Sequence, residues 1–181
     1  MPDLFSDTKA LAHNLGISTC LEFDPVKLVP EECIRGFCRD NRCGSYGGNY
    51  TCPPYVGSLE GIKGKLGRFR RGILLQYSAA LDVPNDTAGV IKTKVTFHEK
   101  ILQMEEFLRG KGEEGVWGLI GGSCGLCEVC LMKSSLPCPY PEKARPSLEA
   151  LGINVLALLR SFGLDSLFHP DRITWTGCLL F

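Results

Sequence analysis

Eight cysteines of this chain fall into two groups with the number and crowding of metal ligands. The first is Cys33, Cys38, Cys43 and Cys52, in CIRGFCRDNRCGSYGGNYTCPP, and the second is Cys124, Cys127, Cys130 and Cys138, in GGSCGLCEVCLMKSSLPCP. Each group ends in Cys-Pro after a glycine-containing loop. Four thiolates satisfy either a tetrahedral metal ion or an iron–sulfur cluster. Disulfides would be the alternative in a secreted chain. The N-terminal segment MPDLFSDTKALAHNLG lacks the basic start and long apolar run of a secretory signal. No stretch approaches the roughly 18 apolar residues of a membrane span. The expectation is a soluble chain of the reducing cytoplasm, where clustered cysteines act as metal ligands or catalytic thiols.

The second group carries the sharper signal. Its C-x2-C-x2-C run puts three thiolates on one tight loop, and Cys138-Pro139 follows after seven residues. Structural zinc sites normally pair two separate C-x2–4-C knuckles. A cubane instead offers three irons to one loop and a fourth to a more distant cysteine, the logic of the bacterial ferredoxin run. Gly121, Gly122 and Gly125 would let backbone amides approach the sulfurs, where hydrogen bonds tune reduction potential. They also suit simple turns.

The first group, C-x4-C-x4-C-x8-C-P-P, is more widely spaced. Cys38, Cys43 and Cys52 share a Gly-rich loop, and Cys33 sits just upstream on an expected helical turn. Arg35, Arg39 and Arg42 alternate with the thiols and would favour an anionic cluster, or simply solubilise the loop. Zinc competes seriously with iron–sulfur at this group. Tyr46 and Tyr140 lie inside the loops, placed to shield a cluster from water.

Other chemistries are absent. There is no P-loop, no strand–GxGxxG–helix signature, no C-x2-C-H haem motif, no C-x3-C-x2-C radical pattern and no Ser-His-Asp arrangement. Twenty acidic residues balance twenty basic ones, which gives no electrostatic case for nucleic acid or an anionic membrane. One basic run, IKGKLGRFRR, holds Lys63, Lys65, Arg68, Arg70 and Arg71 without an acid; it reads as a solvated helix face or as a dock for an acidic redox partner.

The elements that must carry these loops are legible from periodicity. A helix over residues 3–15 precedes a strand over Ser18–Phe23, and Pro25 and Pro30 bracket a turn. Ser58 opens a short helix. Ile73–Leu81 is nearly all apolar, as in a strand buried on both faces. Val90–Arg109 is the clearest helix: Ile91, Val95, His98 and Leu102 run beside Phe97, Ile101, Met104 and Leu108. His98 on that face reads as a core histidine. Val116–Ile120 is a strand that leads directly into the second cysteine group. Helical pieces open at Pro146 and Asn154. The chain closes with a strand over Arg172–Phe181, in which Ile173, Trp175, Leu179 and Phe181 share one face. Cys20 and Cys178 read as buried structural thiols. With 44% apolar and 22% charged residues, the expected architecture is α/β (α+β as the variant): one domain over 1–181, a mixed sheet of about four strands with helices, and metal loops at 33–54 and 121–141.

The run CRDNRCGSYGGNYTCPPYVGSLE, taken with GGSCGLCEVCLMKSSLPCPYPEKARPSLEALGINV, resembles an uncharacterised prokaryotic family of predicted metal-binding proteins. The resemblance covers approximately residues 34–160. It implies metal binding, with iron–sulfur as the expected group, in proteins found mainly in anaerobes, and it implies no assigned reaction. Carried over by position, the ligands would be Cys38, Cys43, Cys52, Cys124, Cys127, Cys130 and Cys138. Cys33 lies outside the pattern, and Tyr50 stands where tryptophan is frequent.

Three functions follow from these residues. The leading one is a protein with two 4Fe-4S clusters that transfers electrons for a redox partner protein. The others are an enzyme whose open-site or composite cluster binds a small molecule, and a zinc-stabilised interaction module.

Overall fold

The computed structural model describes residues 4–181. Among them the elements run α1 (Leu4–Asn14), β1 (Thr19–Phe23), α2 (Glu32–Arg39), α3 (Leu59–Leu66), β2 (Gly72–Ala80), α4 (Thr87–Gly110), β3 (Trp117–Leu119), α5 (Val155–Ser161) and β4 (Arg172–Leu180). Short 3-10 turns occupy Pro25–Lys27, Leu131–Ser134 and Glu149–Leu151. Each expected strand is present, and each expected helix except the piece opening at Pro146, where only the 3-10 turn Glu149–Leu151 forms; most bounds lie within a residue or two of those expected. Asp3, the first residue of the expected N-terminal helix, lies outside the described residues.

Side-chain caps start the helices where the sequence supplies them. Ser58 accepts from the Gly61 amide at 3.1 Å, Asp86 from Gly89 at 2.8 Å, and Asn154 from Ala157 at 3.0 Å. The Asp86 cap begins α4 three residues before the apolar periodicity does.

The four strands form one sheet in the order β1-β2-β4-β3. All three ladders are antiparallel, running from Thr19↔Gln76 to Phe23↔Gly72, from Gly72↔Leu180 to Ala80↔Arg172, and from Trp117↔Leu180 to Leu119↔Cys178. The expected mixed pairing is thus replaced by antiparallel pairing. β2 and β3 do run the same way, joined by α4 as in a strand–helix–strand unit, but β4 inserts between them. Parallel pairing survives as one bridge, Ile120↔Ser147.

Both faces of the sheet are covered. On one, Ile73, Leu75 and Leu179 pack with Phe97, Ile101, Met104 and Leu108 of α4 and with Ala12 of α1. On the other, Leu74, Leu119, Cys178 and Leu180 pack with Ile62 and Leu66 of α3 and Leu158 and Leu159 of α5. This double cover explains the continuous apolar run in β2, since alternate side chains enter different cores. It also revises the reading of β4, whose C-terminal half is buried on both sides. Ile91, assigned to the apolar row of α4, is 53% exposed.

Gly177 of β4 lies tightly between strand β3 and helix α4. A Cβ there would run into the Leu119 carbonyl oxygen and sit 3.1 Å from the Phe97 ring. Gly177→Ala is expected to lower stability by about 1–3 kcal/mol through overpacking, read as a lower urea midpoint at unchanged m-value. No described helix is long and apolar enough to cross a membrane.

Candidate metal centre

Strand β3 and helix α4 hold the neck of the second cysteine loop. The Ile120 amide donates to the Pro146 carbonyl at 3.0 Å, so the two ends of the loop meet. Arg145, at the returning end, donates from Nε and Nη2 to the two oxygens of Glu105, each at 2.7 Å. Glu105 is fully buried on α4 and also accepts from Arg109 at 2.9 Å and from the Gly118 amide. Four donors on one carboxylate satisfy the pairing a buried charge requires. His98 adds a further tie: its Nε2 bonds the Lys143 carbonyl at 2.9 Å. Burial holds its pKa below the usual histidine value, so the neutral Nε2–H tautomer donates. Among the described residues His98 Nδ1 has no partner. As expected, this is a core histidine, and it braces the loop.

Within the neck, Cys124, Cys127, Cys130 and Cys138 line one cavity of about 20 Å³. Its remaining wall includes Leu131, Pro139 and Tyr140 from the same loop and Asn49, Tyr50 and Thr51 from the first. The Cys124 sulfur accepts from the backbone amides of Leu126 and Arg145. Burial pushes its thiol pKa up, those amides oppose the shift, and the neighbouring Cys138 and Cys130 add to it.

The first loop brings three of its four cysteines together. Cys38 ends α2, and its sulfur lies 3.9 Å from the Glu149 carbonyl oxygen. Burial raises its pKa, followed by the charge of Cys43. Cys52 is buried, its amide bonded to the Asn49 carbonyl at 3.1 Å. Its thiol is pushed up to about 12 by burial and then by the charges of Cys43, Cys38 and Cys124. Cys33 is placed apart. It lies five residues before Cys38 on α2, so the two side chains point about 140° away from each other. Its exposed thiol lies 3.6 Å from the Glu31 carboxylate.

The two loops are stitched to each other. Asn49 Nδ2 donates to the Cys124 carbonyl at 3.0 Å while its Oδ1 accepts from the Thr51 amide and hydroxyl, both at 3.0 Å. The Tyr50 hydroxyl donates to the Leu136 carbonyl at 2.7 Å. At about 0.5–1.5 kcal/mol per hydrogen bond, Asn49→Ala is expected to lower stability by about 1–3 kcal/mol. Hydrogen exchange at residues 122–128 should accelerate, with exchange in β2 and β4 changing only in step with global stability.

Clustered cysteines bind a cation as thiolates, releasing their protons as the metal enters. On donor chemistry the residues present fit a thiolate-bound metal group. Among the described residues, however, no three His, Cys, Asp or Glu side chains converge on a point where a single ion would sit. The four cysteines of the second loop instead line a cavity.

Other sequence expectations resolve individually. Cys178 is fully buried, its pKa raised by burial, and Cys20 packs at the edge of the α1/α4 core with its thiol pushed up to about 11. Both are structural thiols. The Arg35 charge does reach Cys38, whereas Arg39 pairs with Glu32 at 2.5 Å. The basic run is not a uniformly free face: Lys65 sits 3.4 Å from the Trp117 ring centroid, and Arg71 pairs with Glu22 at 2.6 Å. Gly121 and Gly122 are small because Trp175 crowds them and Gly125 because Val95 does. The amides on the Cys124 sulfur come from other residues. Tyr140 reaches the cavity, and Tyr46 donates its amide to Asn41 at 2.9 Å. Glu105 and Asn49 escaped the sequence reading. Glu105 did leave a signal, a carboxylate on the buried face of a helix between Ile101 and Leu108; Asn49 left none.

The family model described as predicted metal-binding protein (DUF2284) matches residues 22–181, which takes in both cysteine loops, strands β2–β4 with the end of β1, and helices α2–α5. No curated protein and no solved structure matches the chain.

Proposed function

This chain belongs to that family of predicted metal-binding proteins, and on that premise we propose that it binds two 4Fe-4S clusters and transfers electrons to a partner protein. Cys124, Cys127, Cys130 and Cys138 would hold one cluster; Cys38, Cys43 and Cys52 would supply three ligands of the other. The observation that carries this reading is that four thiols ring one cavity without converging. Zinc–sulfur bonds of about 2.3 Å draw four sulfurs to within about 3.8 Å of one another. A cubane takes one thiolate at each iron corner, which suits a ring around a space.

A cluster bound there supplies one-electron redox chemistry. The chain's own groups would tune and shield it. The amides of Leu126 and Arg145 donate to the Cys124 sulfur, the type of hydrogen bond that raises a cluster's potential. Leu131, Pro139 and Tyr140 line the cavity and would cover part of a bound cluster. Cys52 is within electrostatic reach of both cysteine sets, which favours exchange of electrons between them. Val129 and Leu136, 57% and 51% exposed on the second loop, offer apolar contact to a redox partner. Such thiolate sites suit the reducing cytoplasm of an anaerobe.

A second reading, an enzyme with an open iron that binds a small molecule, draws on the placement of Cys33 away from the other three thiols. Stepwise reduction of anaerobically purified protein separates function from mere staple. Electron transfer predicts visible absorption that bleaches reversibly with dithionite and a paramagnetic signal in the reduced form. Absorption and EPR that do not respond to reductant would overturn the proposed role.

A further inference from the structure

We propose that Glu149 is the fourth ligand of the first metal group and that Cys33 is not a ligand; this rests on the reading of Cys38, Cys43 and Cys52 as metal-bound thiolates. The structure brings Glu149 to this site by two routes. Helix α2 packs on the 3-10 turn Glu149–Leu151, and the start of α2 is pinned to the end of that turn. There the Glu31 amide donates to the Gly152 carbonyl at 2.8 Å, and Pro30 bridges Ile153. The same packing places the Cys38 sulfur 3.9 Å from the Glu149 backbone oxygen.

The Glu149 side chain shares that neighbourhood. Its charge reaches Cys38, as does that of Cys43. The carboxylate is within reach of the Ser147 hydroxyl and of its own amide. Ser147 itself accepts from the Ala150 amide at 3.1 Å. Among the described residues Glu149 is in no ion pair. Three thiols and a carboxylate outside any ion pair thus stand at the junction of α2 and this turn, four donors for one metal group. A carboxylate oxygen is a harder donor than a thiolate and an acceptable one for iron. Cys33, on another face of α2, has the Glu31 carboxylate as its neighbour and cannot share a site with Cys38 unless the helix unwinds.

The test is anaerobic reconstitution of the full chain with ferrous iron and sulfide, comparing Cys33→Ala, Glu149→Ala and Glu149→Cys with the parent. Cys33→Ala should keep the parent iron and sulfide content. Glu149→Ala should lose about half of both, one cluster of two. Glu149→Cys should keep the full content, which also establishes that the variant folds, and should shift the EPR signal of one cluster as oxygen is replaced by sulfur. Loss of half the iron in Cys33→Ala, or full retention with an unchanged spectrum in Glu149→Ala, overturns the assignment. Should the parent take up zinc in place of iron and sulfide, the cluster reading fails and the ligand assignment is still decided. Zinc stoichiometry must then fall in Glu149→Ala and hold in Cys33→Ala, and the reverse overturns it.

Discussion

Replacing Glu105 by alanine should be among the most damaging single substitutions in this protein, lowering stability by about 3–5 kcal/mol. The carboxylate is fully buried and accepts from two nitrogens of Arg145, from Arg109 and from the Gly118 amide. Its removal leaves a buried guanidinium and a buried amide without partners and opens space beneath β3. Against a typical domain stability of about 5–15 kcal/mol, that is a large share. The effect should also be directional. Arg145 is where the second cysteine loop returns to the sheet, and its amide donates to the Cys124 sulfur. The variant should therefore lose metal from the second loop at urea concentrations that leave β2 and β4 folded. Glu105→Gln keeps the shape and some hydrogen bonds but not the charge, and should fall between. Anaerobic urea titration followed by both circular dichroism and metal release measures this. A loss below 1 kcal/mol in Glu105→Ala would mean that the pair does not brace the loop.

The second large effect is expected from Cys124→Ala. Cys124 lines the cavity, is the cysteine of its group whose charge reaches Cys52, and accepts two backbone amides at sulfur. Without it the second group has three thiols and two amides with no acceptor. Bound metal should fall by about half, and the spectrum of the remaining centre should be close to that of the parent. Because the Cys124 backbone carbonyl still accepts from Asn49, the loops should stay joined, and the metal-free fold should lose about 1–3 kcal/mol at most, the cost of donors left unpaired. Cys20→Ala is the control and should leave metal content intact, since Cys20 packs against the α1/α4 core.

Strands, helices and both cysteine loops were legible in the sequence because each rests on local signals. Period 2 or 3.6, a Ser or Asn cap, and glycine before Cys-Pro each speak within a few residues. What the sequence did not carry is set by long-range pairing. Insertion of β4 between β2 and β3 is a choice made across about 100 residues, since Leu75 pairs with Gly177, and no local pattern encodes it. The spacing of the first cysteine set is silent on geometry in the same way. Cys33 and Cys38 are close in sequence, yet a helix turns them apart. Glu149, more than 100 residues further on, is brought to Cys38 by the packing of α2. Asn49 and Tyr50 join the two loops through backbone carbonyls, which leave no trace in residue type.

Iron and acid-labile sulfide, quantified per chain on anaerobically purified protein alongside low-temperature EPR, test the central claim most directly. Two four-iron clusters predict brown protein with about eight irons and about eight sulfides per chain and an EPR signal on reduction. Colourless protein carrying about one or two zinc ions per chain, with no sulfide, would contradict it.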